Sequence, residues 1–173
     1  MKLIGLTGKA RVGKDTVANF LMAEHDYVRM AFADPLKRAA AEIFGLTPTQ
    51  MQDEFKEIPV QYWGMSPREI FQKLGTEAVR DVFGPEVWVK RLGMGLDVVR
   101  HTKNVVITDV RFPNEVEFLI RQGGVLVEIR RDVSDVRAHR SEAGVGVEAD
   151  IVIDNNSSVD ALYAQIELML GTL

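Results

Sequence analysis

The chain has 173 residues, 46% of them hydrophobic and 27% charged, which is one ordinary globular domain and excludes a disordered, collagenous or fibrous protein. Twenty-one basic residues against twenty-five acidic ones leave a net charge of −4, so there is no global electrostatic case for a nucleic-acid polymer as partner. The absence of cysteine excludes disulfides and thiolate metal sites and is compatible with a cytoplasmic location, while the opening run MKLIGLTGK is too short for a signal peptide or a membrane span.

Lys2 to Thr7 reads as a short buried strand. Gly8 to Gly13 is a loop, and from Lys14 the spacing of Val17, Phe20 and Leu21 predicts a helix with one apolar face. Tyr27 to Ala33 is a second strand. Asp34-Pro35 has the form of a helix start, Asp as cap and Pro at the first helical position, with the helix running from Leu36 to Phe44 and stopping at Gly45. Residues 46–65 are polar and irregular. Ser66-Pro67-x-Glu69 is a capping-box signature whose helix carries Ile70, Phe71, Leu74 and Val79, and Pro85 opens a further helix containing Trp88, Val89, Leu92 and Leu96. Val105 to Ile107 is a strand core ending in Thr108-Asp109. Asn114 to Gln122 is helical, Val125 to Ile129 and Ile151 to Ile153 are strands, and Val159 to Leu170 closes the chain as a helix.

Strands and helices thus alternate, and the strand cores are continuous apolar runs, the pattern of a parallel sheet covered by helices on both faces. Five strands are expected in an α/β domain without internal repeats. Residues 131–148 interrupt the pattern with clustered charge and glycine.

Gly8-Lys9-Ala10-Arg11-Val12-Gly13-Lys14-Asp15-Thr16 has the spacing G-x-x-x-x-G-K-D-T. Glycines let backbone wrap closely around phosphate and present N–H donors at the start of the next helix, and Lys14 would reach the β- and γ-phosphates. The bland alternative is an ordinary strand-to-helix turn; the apolar strand before and the amphipathic helix after favour the phosphate loop. A hydroxyl usually follows the lysine and helps to hold Mg²⁺. Here Asp15 stands in that place, so Asp15 is expected on Mg²⁺, directly or through water, with Thr16 beside it. Asp109, at the carboxyl end of an apolar strand, suits a Mg²⁺-organising role. A helix-capping Asp, or one paired with Arg111, is the alternative.

These segments resemble the bacteriophage-type deoxynucleoside monophosphate kinases. The resemblance covers most of the chain. It rests on the G-K-D-T loop, Phe32-Ala33-Asp34-Pro35-Leu36-Lys37, Pro67-Arg68 through Gln72-x-x-Gly75-Thr76-Glu77, the Trp88 segment, Thr108-Asp109-Val110-Arg111-Phe112-Pro113-Asn114-Glu115, and His139-x-Ser141-Glu142. Animal-type phosphomevalonate kinases look like more distant relatives through the G-K-D loop and the D-x-R-F-P segment. The resemblance implies a three-layer P-loop kinase fold in a single domain, residues 1–173. Its core would be 1–45 and 102–173, its helical acceptor-binding region about 46–100, and its lid about 131–148. It also implies transfer of the ATP γ-phosphoryl to a dNMP with Mg²⁺, giving ADP and dNDP, in the cytoplasm (the host's, for a phage-encoded chain).

Two phosphorylated substrates bring negative charges together, so catalysis is mostly positioning and neutralisation. On this basis Lys14, Asp34 and Arg130 are the expected catalytic residues. ATP is expected to meet Gly8, Arg11, Gly13, Lys14, Asp15, Thr16 and Arg130. The dNMP is assigned to Lys37, Arg68, Gln72, Arg80, Trp88, Arg137 and Glu142, and the metal to Asp15, Thr16 and Asp109. Each arginine alone reads more readily as a solvated charge and Trp88 more readily as core, while Asp34 reads equally well as a helix cap. By resemblance, Asp154-Asn155-Asn156 lies where such folds often contact adenine. Two alternatives stay open: a P-loop kinase of another small phosphorylated acceptor, of phosphomevalonate or dephospho-CoA type, and a non-catalytic ATP-binding switch. Against the switch, no N-K-x-D guanine motif is present. The expected partners are small nucleotides, with no membrane and with a homodimer left open.

Overall fold

The computed structural model describes residues 1–132 and 145–173, and the chain divides into two compact units, Met1–Ala31 with Leu92–Leu173, and Phe32–Arg91. The first unit holds five parallel strands: β1 (Leu3–Thr7), β2 (Tyr27–Met30), β3 (Asn104–Ile107), β4 (Val125–Arg130) and β5 (Ile151–Asp154). Their order in the sheet is β2-β3-β1-β4-β5. The central strand β1 is buried along its whole length, with Gly5 level with Ile107 on one side and Leu126 on the other. That is why its sequence is a run of apolar residues instead of an alternation.

Helix α1 (Lys14–Glu24) and the C-terminal helix α7 (Val159–Thr172) are connected to the sheet through one core. Val17, Ala18 and Leu21 of α1 and Leu162, Ile166 and Met169 of α7 pack with Ile4, Leu6, Val106, Val127, Ile129 and Ile153. Each fully buried Leu or Ile in this set contributes about 1.5–3 kcal/mol. Helix α6 (Pro113–Arg121) lies against β1 and β4. No helix among the described residues is long and apolar enough to cross a membrane.

The second unit contains α2 (Asp34–Phe44), α3 (Pro67–Gln72), a π-helical stretch (Lys73–Arg80), the single turn α4 (Asp81–Phe83) and the start of α5 (Val87–Val99). Its own core is Ala40, Leu46 and Ile70, with Phe44, Met51, Met65, Phe71 and Leu74 packed around them. Gly45 ends α2 in the left-handed region (φ +61°), and Ser66 opens α3 through a reciprocal capping box with Glu69, as the sequence indicates.

Two local expectations need correction. Asp34 is the first residue of α2, and the cap position falls on Ala33, whose methyl group cannot cap a helix. The single helix expected from Ser66 to Val79 is a short α-helix that widens into the π-helix at Lys73. The i→i+5 bonding of a π-helix leaves no periodic mark that a 3.6-residue pattern detects, and such turns gather at functional sites.

Tyr27 is buried at 5% exposure, and its hydroxyl has no hydrogen-bond partner among the described residues. Burial pushes its phenol up to about 12 from 10.0. Above pH 10 the unfolded chain loses this proton before the folded one, so stability falls as the pH rises from 10 towards about 12. Tyr27→Phe should remove that alkaline loss and leave the neutral-pH Tm unchanged or higher by a few degrees, since an unpaired buried hydroxyl carries only a desolvation penalty. Thermal melts of both proteins at neutral and alkaline pH check it.

Candidate active site

In the sheet, β1 is flanked by β3 on one side and β4 on the other, and at such a switch point ligands bind beyond the carboxyl ends of the strands. The loop Gly8–Gly13 leaves β1 at this point. Gly8 has φ +127°, and a Cβ on it would lie 2.4 Å from the Ile129 carbonyl oxygen of β4. Gly13 has φ +103°, and its Cβ would lie 2.3 Å from Asn155 Nδ2. Arg11 between them is also left-handed, with φ +64°. The loop is therefore pressed against the ends of β4 and β5, and only glycine fits at its two tightest positions.

Helix α1 starts at Lys14 with Gly13 as its cap and no side-chain cap bond. Its first-turn N–H groups thus carry no capping side chain, which suits an anion. Lys14 Nζ donates to the Gly8 carbonyl at 2.8 Å and to the Lys9 carbonyl at 2.7 Å, laying the ammonium across the loop. Asp15 is exposed and Thr16 half-buried in the same first turn.

Asp109 follows β3. Thr108 N donates to Met30 O and Val110 N to Leu6 O, both at 3.1 Å, so the exit of β3 is tied to the ends of β2 and β1 and Asp109 lies beside the start of the glycine loop. Glu115, 2% exposed, accepts from Arg111 N at 2.8 Å and Phe112 N at 3.1 Å and fixes the turn that follows. Among the described residues no three His, Cys, Asp or Glu side chains gather as a metal site. Asp15, Thr16 and Asp109 are oxygen donors, the set that Mg²⁺ takes when phosphate and water oxygens complete its shell. Arg130 ends β4, exposed, and donates to Glu128 at 2.8 Å; that bond and the Glu128 charge raise its guanidinium above its ordinary value.

In the second unit the cations gather more tightly than their spacing suggests. Arg68 N donates to the Lys56 carbonyl at 2.9 Å, the Arg68 guanidinium pairs with Glu57, and the Lys56 ammonium pairs with Asp53. Burial pushes the Asp53 carboxyl up, but the hydrogen bond and charge of Lys56, with the charges of Lys37 and Arg68, outweigh it and hold Asp53 below its ordinary value. Lys56 thus contacts Asp53 directly, while Lys37 and Arg68 act on it through their charges. Lys56 is absent from the sequence-based set; a lone lysine in an irregular stretch carries no pattern that would select it.

Arg80 is turned inward, 5% exposed, and donates to the Pro85 carbonyl at 3.3 Å, bracing the turn into α5. Trp88 is half-buried and donates its indole N–H to the Gly75 carbonyl at 2.9 Å. Gln72 is half-buried where α3 passes into the π-helix. Trp63 donates to the Phe44 carbonyl at 2.8 Å, while Tyr62 is exposed. A cavity of about 360 Å³ bounded by Phe44, Met65, Ile70 and Leu74 includes none of Lys37, Arg68, Gln72 or Trp88 in its lining. Arg137, His139, Arg140 and Glu142, and with them most of the expected lid, lie outside the described residues.

A parallel sheet in this order, with a lysine-bearing glycine loop leaving its middle strand, defines the P-loop kinase class. The fold is similar to that of a solved sugar kinase from Janibacter sp. (TM-score 0.56, 14% identity, covering 99% of this chain and 95% of that one). The chain belongs to the deoxynucleotide monophosphate kinase family, whose model matches residues 2–65 and 47–166. It is 35% identical, over 96% of its length and 94% of the relative's, to a protein of Acanthamoeba polyphaga mimivirus provisionally named a deoxynucleotide monophosphate kinase. It is also 27% identical to a dephospho-CoA kinase of Arabidopsis thaliana, over 98% of this chain and 83% of the relative.

Proposed function

We propose that the protein transfers the γ-phosphoryl group of ATP to a deoxynucleoside monophosphate, giving ADP and dNDP, with Mg²⁺ bound to the ATP phosphates. The observation that carries this reading is the Lys14-bearing glycine loop at the sheet's switch point, in a chain matched nearly end to end by that family. The acceptor's phosphate monoester is largely ionised at neutral pH, with a second pKa of about 6, so it needs no general base to become a nucleophile. One of its oxygens attacks the γ-phosphorus, the bond from that phosphorus to the β-γ bridging oxygen breaks, and ADP leaves.

The protein's own work is then alignment and neutralisation. Lys14 moves from the Gly8 and Lys9 carbonyls to the β- and γ-phosphates, and the first-turn amides of α1 bind phosphate oxygens. Arg130 is assigned to the transferring group and Asp34 to orienting the acceptor phosphate. Lys37, Arg68 and, newly, Lys56 hold that phosphate in place of the Asp53 and Glu57 carboxylates. Gln72 and Trp88 are assigned to the acceptor base, with Trp88 held by Gly75. Mg²⁺, with Asp15, Thr16 and Asp109 near it, would neutralise charge on the β- and γ-phosphates.

A second reading, transfer to dephospho-CoA, has the likeness to the plant dephospho-CoA kinase behind it. Purified protein with ATP and Mg²⁺ is incubated with each dNMP, each NMP and dephospho-CoA, and ADP release is measured. Release with one or more dNMPs above the no-acceptor control supports the first reading; release with dephospho-CoA alone replaces it by the second. Within the first reading, Lys56→Ala should raise KM for the dNMP by about ten- to hundred-fold, the loss expected for a charge-assisted phosphate contact, and leave KM for ATP nearly unchanged. An unchanged dNMP KM would remove Lys56 from the acceptor site.

A further inference from the structure

The residues between β5 and α7 join parts of the first unit that are distant in sequence. Asn155 is 8% exposed, and its Nδ2 donates to the Val12 carbonyl at 2.8 Å, across 143 positions of chain. Its backbone N–H donates to the Arg130 carbonyl at 2.7 Å, so the same residue holds the end of β4. Asn156 Oδ1 accepts from Asp132 N at 2.7 Å and its own N–H and amide bind the Asp154 carboxylate, while Gln165 of α7 closes on the Asp154 backbone at 2.8 Å and 3.1 Å. This buried amide is committed to the glycine loop and does not point to solvent, where an adenine contact would need it.

We propose that Asn155 is a positioning residue for the phosphate loop: it sets the Val12-Gly13 backbone against the end of β4, so that the loop's N–H donors and Arg130 are registered before nucleotide arrives. Gly13 follows from the same arrangement, because the Asn155 amide occupies the space where a side chain at 13 would begin. The Val12 carbonyl is the one that the amide pins. With that carbonyl turned outward to Asn155, the peptide between Val12 and Gly13 presents its N–H on the opposite side. Without the amide, the peptide is free to rotate, and an inward carbonyl would oppose a phosphate with its own partial negative charge.

The proposal rests on the ATP reading of the loop. Its test uses the whole chain with two substitutions. Asn155→Ala removes the donor, and Asn155→Asp keeps the volume while presenting a carboxylate to the Val12 carbonyl. ATP and ADP binding are measured by calorimetry without acceptor, KM and kcat with saturating acceptor, and folding by thermal melts. Both variants are expected to raise Kd and KM for ATP by roughly tenfold or more, with KM for the acceptor changed by less than about twofold. A folded variant with ATP affinity within about twofold of the unmodified chain overturns the proposal, even if its Tm has dropped, because that is the behaviour of a purely structural residue. Loss of fold in both variants overturns it too, by assigning Asn155 to stability alone. If the unmodified chain binds no ATP, the function proposed above and this inference fall together. If it binds ATP and Asn155→Ala binds equally well, this inference falls alone.

Discussion

Lys14→Ala is expected to leave the protein folded and to lower turnover by at least about 10²–10³-fold, the scale for removing one preorganised charge from the transferring group. The two effects separate because the ammonium is half-buried and donates to the loop's own Gly8 and Lys9 carbonyls, which water replaces when the side chain is cut. Loss of those two bonds at a solvated site costs about 1 kcal/mol at most, a change of a few degrees in Tm. In the reaction the same charge has no substitute: the phosphates gain negative charge on the leaving oxygen, and the amides of α1 carry only partial charges. Lys14→Arg should recover little, because a planar fork on a longer stem does not place its charge where a compact ammonium does. Initial rates with the best acceptor, together with thermal melts, decide the matter. A folded Lys14→Ala protein with full turnover would mean that chemistry happens elsewhere.

How far the sequence reaches depends on whether a feature is local. The strands are legible because a strand buried on both faces has to be apolar throughout, and Leu3–Thr7 and Asn104–Ile107 sit in the middle of the sheet. The Ser66 capping box and the Gly45 stop are equally legible, each being decided within four residues. The glycine loop can be read from spacing, but the reason for its glycines cannot, since Gly8 answers to the Ile129 carbonyl and Gly13 to Asn155. Lys56 escapes sequence reasoning, and Asn155, placed by resemblance in a segment near adenine, is not tied by it to the glycine loop, for the same cause. Neither belongs to a periodic or motif pattern, and each meets its partners only through residues that the fold brings to it. The π-helix at Lys73–Arg80 is the clearest case of tertiary context prevailing over helical period, with Gly75 buried against Leu36 and bonded by Trp88 at the point where the turn is widened.

Gly8→Ala should be far more damaging than the loss of one glycine's freedom suggests, and comparison with Gly123→Ala isolates the reason. Both glycines have positive φ, +127° and +73°. At Gly123 a Cβ would meet nothing within 4 Å, so only the backbone term applies, about 1–2 kcal/mol for an L-residue in the left-handed region. At Gly8 the φ lies further from what Ala tolerates, a strain of about 1–3 kcal/mol, and the Cβ meets a backbone oxygen instead of a yielding side chain. That oxygen belongs to Ile129, in a strand paired on both sides, through Thr7↔Glu128 to β1 and Ile129↔Ile153 to β5. Neither ladder lets β4 withdraw, so the loop has to move, adding about 1–3 kcal/mol of overpacking. We therefore expect a loss of about 3 kcal/mol or more for Gly8→Ala, a fall in Tm of at least roughly 6–12 °C, against about 2–8 °C for Gly123→Ala. Because the loop that moves is the phosphate cradle, ATP affinity should fall in Gly8→Ala and stay unchanged in Gly123→Ala. Equal melting temperatures and equal ATP affinities in the two variants would show that the contact with β4 does not shape the cradle.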